Sequence, residues 1–251
     1  MATTIAIAGK GGTGKTTIAA LLIKLLSQKG AVLAIDGDPS TNLNQALGLP
    51  LENTVGRIRE EMTEAIKFGS LSPGMAKQDL LEYKIMTALV ESKGVDLLAM
   101  GRPEGPGCYC AANTWLRYSI DRLGRNYRYV VIDCEAGMGH ISRQTTRDID
   151  ILLITSDPTQ RGITTAARMK ELIGELRSRV SKICLVVNRA PNPPPPEIMK
   201  AIDSHGLELI ATIAEDPGIA DLEVKGIPII ELPSDSPLQL KVKEVASKLG
   251  L

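Results

Sequence analysis

An excess of charge of either sign is missing from this chain. Lys plus Arg and Asp plus Glu are equal, at 29 each in 251 residues. Proteins that grip a nucleic-acid backbone usually carry a basic surplus, so no nucleic-acid partner is expected. Long apolar runs are also missing. None reaches the roughly 18 residues that a membrane-spanning helix needs, and no membrane partner is expected. Aromatic residues are scarce, with one Phe, one Trp and five Tyr, so the core must be built from Ile, Leu, Val and Ala. The N-terminus runs from Met1 into a short apolar segment and a glycine loop, without the basic and apolar regions of a secretory signal. A cytoplasmic location with reduced thiols is the expectation. The four cysteines therefore read as thiols or metal ligands before disulfides.

What is present is a repeated alternation. Short aliphatic runs at Thr4–Ala8, Val32–Asp36, Val95–Met100, Tyr129–Asp133, Ile151–Thr155, Ile183–Asn188 and Leu207–Ile213 read as buried strands. Helical patterns separate them. Ile18, Leu21, Leu22, Leu25 and Leu26 mark one apolar helix stripe, which Gly30 is expected to stop. Strands joined by helical crossovers predict an α/β fold, with a mostly parallel sheet covered by helices on both faces. Residues 1–251 are expected to form one domain, with a helical elaboration near 53–92 broken around Gly69–Gly74. Pro193–Pro196 reads as a loop. Leu238–Leu251 reads as an amphipathic helix packed on the sheet.

The strongest local signal is Gly9-Lys10-Gly11-Gly12-Thr13-Gly14-Lys15-Thr16, which has the spacing G-x-x-x-x-G-K-[ST] between a strand and a helix. Glycines let the backbone N–H groups turn inward, and the helix N-terminus adds partial positive charge. This is a P-loop for ATP or ADP with Mg²⁺. Gly11, Gly12, Thr13, Gly14, Lys15, Thr16 and Thr17 are its nucleotide-binding residues. Lys15 is expected on the β- and γ-phosphates and the Thr16 hydroxyl on Mg²⁺.

Lys10 gives the loop a second lysine. In this respect the string resembles the deviant Walker A motif of the MinD, ParA, nitrogenase-iron-protein and ArsA class. The resemblance implies a homodimer in which Lys10 reaches the partner's nucleotide, where a cation would offset developing phosphoryl charge. Asp36-Gly37-Asp38-Pro39 is similar to the first switch of that class. It implies that Asp38 orients the attacking water and that Asp36 helps to hold the Mg²⁺ shell. Asp133-Cys134-Glu135-Ala136-Gly137 is similar to the second switch, with Asp133 as the Mg²⁺-binding carboxylate. Either aspartate alone also reads as a loop cap. Asn188 corresponds to the asparagine that contacts the base, although a turn-forming Asn suits its position as well.

Cys108-Tyr109-Cys110 lies in a Gly/Pro-rich loop after the third strand. Two residues apart on an extended chain face one way. Such a pair supplies half of a four-coordinate thiolate site, and two pairs across a dimer axis would complete it. Chance spacing or a strained disulfide remains open on the spacing alone. Gly101-Arg102-Pro103-Glu104, Gly107-Cys108-Tyr109-Cys110-Ala111-Ala112-Asn113 and Glu135-Ala136-Gly137 with His140 resemble the CooC type within the class. That resemblance implies a client, carbon monoxide dehydrogenase or acetyl-CoA synthase, and assistance with its nickel insertion. It also implies Ni²⁺ held by Cys108 and Cys110 of two subunits, where Zn²⁺ could compete. The nitrogenase iron protein has a further cysteine after its second switch, where this chain carries His140. A shared iron–sulfur cluster built in the same way is therefore disfavoured, although two C-x-C pairs could in principle hold one; an iron–sulfur reductase and a positioning ATPase of the MinD/ParA kind are the rivals. Cys184 reads as a core residue and Cys134 as a small residue accommodated beside Asp133. His140 and His205 read as structural or solvent-facing.

Overall fold

The computed structural model describes residues 2–68, 77–102, 110–137, 148–175 and 179–251. Seven strands make one sheet: β1 (Thr3–Gly9), β2 (Val32–Asp36), β3 (Val95–Ala99), β4 (Tyr129–Asp133), β5 (Asp148–Ser156), β6 (Arg179–Val187) and β7 (Leu209–Thr212). Their spatial order is β3-β2-β4-β1-β5-β6-β7, and every pairing is parallel. All seven strands coincide with the aliphatic runs of the sequence.

β5 and β6 begin earlier than those runs. Asp148 pairs with Arg179 and Ile149 with Val180, beyond the apolar stretch. Asp148, Asp150 and Arg179 are exposed there. Backbone pairing thus continues where charged, exposed residues alternate with a buried one, Ile149, and an apolar run alone does not report it.

Helices cover both faces. α1 (Lys15–Ser27), α2 (Leu43–Ala46) and α9 (Pro237–Lys248) pack on one side. α3 (Val55–Lys67), α4 (Lys77–Ala88), α5 (Cys110–Leu123), α6 (Gln160–Glu175) and α7 (Pro196–Ser204) pack on the other. α8 (Pro217–Lys225) adds Ile219 and Leu222 to the first side. The strands divide their residues by alternation. Ile5 and Ile7 enter the α1 side, while Ala6 and Ala8 enter the α6 side. α1 is mostly core, with Ile18, Leu21, Leu22, Ile23 and Leu26 fully or almost fully buried. Truncating one of these leucines to Ala costs about 2–5 kcal/mol, because transfer and cavity terms add.

Two local expectations change. α1 ends at Ser27, three residues before Gly30, and Gly30 is not left-handed. A Cβ at Gly30 would stand 2.6 Å from Arg128 Cδ, so close approach rather than helix capping requires glycine there. The proline run is also not wholly loop. Pro196 opens α7, where a missing N–H costs nothing and φ is preset. The C-terminal helix packs as read, with Leu238, Val242, Val245 and Ala246 in the core. The elaboration contains α3 and α4; its break at 69–74 lies outside the described residues. No helix among the described residues is long and apolar enough to cross a membrane.

Candidate nucleotide site

β1 stands centrally, between β4 and β5. In open parallel sheets, ligands sit beyond the carboxyl ends of such strands. The loop from β1 to α1 occupies that position here. Gly14, at φ +84, turns the chain into α1. A Cβ on Gly14 would stand 2.4 Å from Asn188 Nδ2. No acidic residue lies in the first turn of α1, so its N–H groups and dipole face the loop uncompensated. Thr13 anchors the loop: its hydroxyl donates to Lys10 O at 2.8 Å and shares a 2.8 Å bond with Thr155 Oγ1.

Lys15 is buried, with its Nζ 3.4 Å from Lys10 O. Thr16 Oγ1 donates to Asp133 Oδ2 at 2.6 Å. Asp133 Oδ1 is buried and has no hydrogen-bond partner among the described residues. An orphaned carboxylate oxygen beside a hydroxyl is a donor set suited to a hard divalent cation such as Mg²⁺. Burial pushes the Asp133 carboxyl up to about 6, against the opposing pull of the Thr16 bond and Lys15.

Asp36 is paired in register with Asp133 across β2 and β4. It is fully buried, and both its oxygens accept loop amides: Oδ1 from Asp38 N at 3.1 Å and Oδ2 from Leu43 N at 2.9 Å. Asp36 thus pins both ends of the 37–42 segment. Burial first, then Asp133 and Asp38, push its carboxyl up to about 7 despite those amides. Asp38 is half-buried and accepts Ser40 N at 2.8 Å. The 133–137 segment lies against the phosphate loop through Gly137 N to Gly9 O at 3.0 Å. Thr16, Asp36, Asp38 and Asp133 are therefore brought together at one end of the sheet.

Lys10 is placed differently from an outward-reaching arm. Its Nζ lies 3.3 Å from Asp157 Oδ2 in the same chain. Asn188 holds the loop: Nδ2 donates to Thr13 O at 2.9 Å, and Oδ1 accepts Arg189 N at 3.0 Å. The sequence reading missed Asp157, Thr155 and Arg189. For Asp157 a signal existed, since Asp157-Pro158 follows a strand just as Asp38-Pro39 does. Thr155 and Arg189 carry no local signal.

Cys108 lies outside the described residues, as does His140. Cys110 is the first residue of α5. β3 ends at the nucleotide edge, where Met100 N donates to Asp36 O at 2.8 Å. Cys134 and Cys184 are buried, as read. His205 is exposed at the end of α7. Among the described residues no cluster of three or more His, Cys, Asp or Glu could hold a metal.

Comparison with known proteins supplies a family. Residues 4–229 match the model of the CobQ/CobB/MinD/ParA nucleotide binding domain. An uncharacterized ATP-binding protein of Methanocaldococcus jannaschii is 44% identical over 250 residues, covering 98% of this chain and 97% of its own. The carbon monoxide dehydrogenase accessory protein CooC of Rhodospirillum rubrum is 34% identical over 205 residues, 75% of each chain. Among solved structures, the septum site-determining protein MinD of Pyrococcus horikoshii, complexed with Mg-ADP, superposes with a TM-score of 0.70. It is 22% identical and covers 99% of this chain and 96% of its own.

Proposed function

This chain belongs to the CobQ/CobB/MinD/ParA family of ATP-binding P-loop ATPases, and from that premise we propose that its ATPase cycle operates a metal-handling homodimer. Cys108 and Cys110 of two subunits take a soft metal ion as cargo, Ni²⁺ in this reading, and the client is carbon monoxide dehydrogenase or acetyl-CoA synthase. The observation that carries the reading is the likeness to CooC in a chain whose sequence has Cys108-Tyr109-Cys110 after the third strand.

The roles follow from chemistry. Gly11, Gly12, Thr13, Gly14 and Thr17 present the amide cradle, and Lys15 offsets charge on the β- and γ-phosphates. Thr16 and Asp133 are the ligands for Mg²⁺, which when bound would neutralise phosphate charge. Asp36 supports that shell through the 37–42 segment it pins. Asp38 orients the attacking water. Lys10 serves the partner's nucleotide and Asn188 the base, in addition to bracing the loop. Loss of the γ-phosphate would release the switch segments, and the coupling to metal must run in both directions.

The test is metal stoichiometry and sedimentation with and without ATP. One metal ion per ATP-bound dimer, lost in Cys108→Ser with Cys110→Ser, supports the reading. Unaltered Ni²⁺ binding by that double variant, or dimerisation indifferent to metal, would sink it. A brown protein after anaerobic purification would instead indicate an iron–sulfur cluster. Zn²⁺ run in parallel shows whether the thiolates prefer Ni²⁺. Asp38→Ala should bind ATP as tightly as the parent while losing hydrolysis at least a hundredfold, the scale of a positioned group acting on a water.

A further inference from the structure

A pair of buried hydroxyls ties the phosphate loop to β5. Thr13 and Thr155 are 2% and 1% exposed, and their Oγ1 atoms lie 2.8 Å apart. A Cβ on Gly9 would stand 2.5 Å from Thr155 Oγ1 and 3.0 Å from Thr13 Oγ1, so glycine leaves room where the pair meets. The pair has a direction, because a hydroxyl carries one hydrogen. That of Thr13 goes to Lys10 O at 2.8 Å, so Thr155 supplies the hydrogen between the two hydroxyls. The other acceptor open to Thr155, Ala8 O, is farther away at 3.3 Å. A chain of bonds thus runs from Thr155 through Thr13 to the Lys10 carbonyl, and each bond in such a chain strengthens the next.

The same carbonyl is within reach of the loop's second cation. Lys15 Nζ lies 3.4 Å from Lys10 O, beyond the range of about 2.7–3.2 Å usual for N–H···O bonds. Thr13 holds that oxygen at the shorter distance. An ammonium that shares a carbonyl with a closer hydroxyl is held loosely, and it can turn toward phosphate oxygens that enter the loop. Thr13 itself offers a ligand almost no side-chain surface at 2% exposure, so its hydroxyl acts through Lys10 O. The main-chain hold on Thr13 is separate, since Asn188 Nδ2 donates to Thr13 O at 2.9 Å.

We propose that Thr13 and Thr155 are positioning residues for Lys15: their hydroxyl chain occupies the Lys10 carbonyl, so that the Lys15 ammonium stays available to the β- and γ-phosphates. This rests on the reading of the phosphate loop as an ATP site. Without the chain, Lys10 O draws Lys15 into a closer bond, which an incoming phosphate must then break. Thr155 has no part in this except through Thr13.

The experiment measures the affinity of the full chain for ATP and for inorganic tripolyphosphate by calorimetry. Thr13→Val and Thr155→Val keep the branched shape and lose the hydroxyl, whereas Thr13→Ser and Thr155→Ser keep the hydroxyl. The expected result is an affinity about three- to tenfold weaker in Thr13→Val, the scale of one buried hydrogen bond. Thr155→Val should lose about two- to fourfold, since Thr13 still reaches Lys10 O without it. Both ligands should lose alike, because Lys15 acts on phosphates. The double valine variant should match Thr13→Val within about twofold, because the second residue acts through the first. Each serine variant should match the parent. Unchanged affinity in Thr13→Val, losses that multiply in the double variant, a loss for ATP alone, or a serine variant as weak as its valine counterpart would each overturn the proposal. Should Thr13→Val not fold, Thr155→Val against Thr155→Ser decides: a loss for both ligands in the valine variant alone supports the proposal, and no loss overturns it. A parent protein that binds neither ligand would refute the ATP-site reading, and this proposal with it.

Discussion

Lys10 Nζ lies 3.3 Å from Asp157 Oδ2, so the second lysine of the phosphate loop is held within its own subunit by the segment that leaves β5. The Asp157 carboxyl is raised by burial, but the Thr159 and Lys10 bonds outweigh this and hold it below the ordinary range. If Lys10 acts across a dimer, closure must first break this pair. Both side chains are partly exposed, at 40% and 29%, so the contact is worth about 0–1 kcal/mol.

Asp157→Ala should therefore strengthen the ATP-bound dimer by up to about fivefold. Thr159→Ala is the control, since it removes the neighbouring hydroxyl and leaves the ion pair. Sedimentation across a concentration series with ATP and Mg²⁺ reads the effect. A weaker dimer in Asp157→Ala alone would show that the pair does not restrain Lys10.

The buried carboxylates predict a pH dependence of the Mg²⁺-free protein. Asp36 and Asp133 titrate near 7 and 6 in the fold, above about 3.9 for an unfolded Asp. Between these values the folded chain binds more protons than the unfolded one. Their contribution to stability is thus fully present below about pH 4 and is lost as pH rises through the folded values. Melting temperature in chelator should fall between pH 5 and pH 8. Asp133→Asn should flatten that fall, and Mg²⁺ binding near pH 6.5 should release protons. Scanning calorimetry in buffers of different ionisation heat checks both.

Gly14→Ala should damage the loop itself. Its φ of +84 is left-handed, which costs a Cβ-bearing residue about 1–2 kcal/mol. The added Cβ would also press on Asn188 Nδ2, 2.4 Å away, and break the Asn188 bond to Thr13 O. Losing that bond adds about 1 kcal/mol. ATP affinity should fall at least tenfold by calorimetry; an unaltered value would mean that the loop relaxes freely.

Thiol reactivity should separate two classes of cysteine. Cys134 and Cys184 are 1% exposed. Burial pushes the Cys184 thiol up to about 11 and Cys134 higher still. Neither should react with Ellman's reagent before denaturation, and Cys184→Ala should leave metal binding intact. Thiolate is the reactive form and the metal ligand. Rapid labelling of either residue in the native protein would contradict this.

The strands were legible because a buried parallel strand is a run of aliphatic residues, as at Tyr129–Asp133. Their order was not, because β4 lies between β1 and β2 through a pairing that no local pattern encodes. The phosphate loop was legible residue by residue, since its chemistry needs fixed spacing. Asp36 was legible as a carboxylate at a strand end. Its work on Asp38 N and Leu43 N shows only when the chain turns back upon it.

The sequence by itself determined the α/β class, the phosphate loop and the pair of cysteines placed two apart. Each is written in neighbouring residues, so local geometry suffices to express it. Only the tertiary structure decided that Lys10 rests on Asp157, that Asn188 braces Thr13 and that Arg189 reaches Gly12. Those partners are 147, 175 and 177 residues apart in the chain. They meet because parallel pairing brings the carboxyl ends of β1, β5 and β6 to one edge of the sheet.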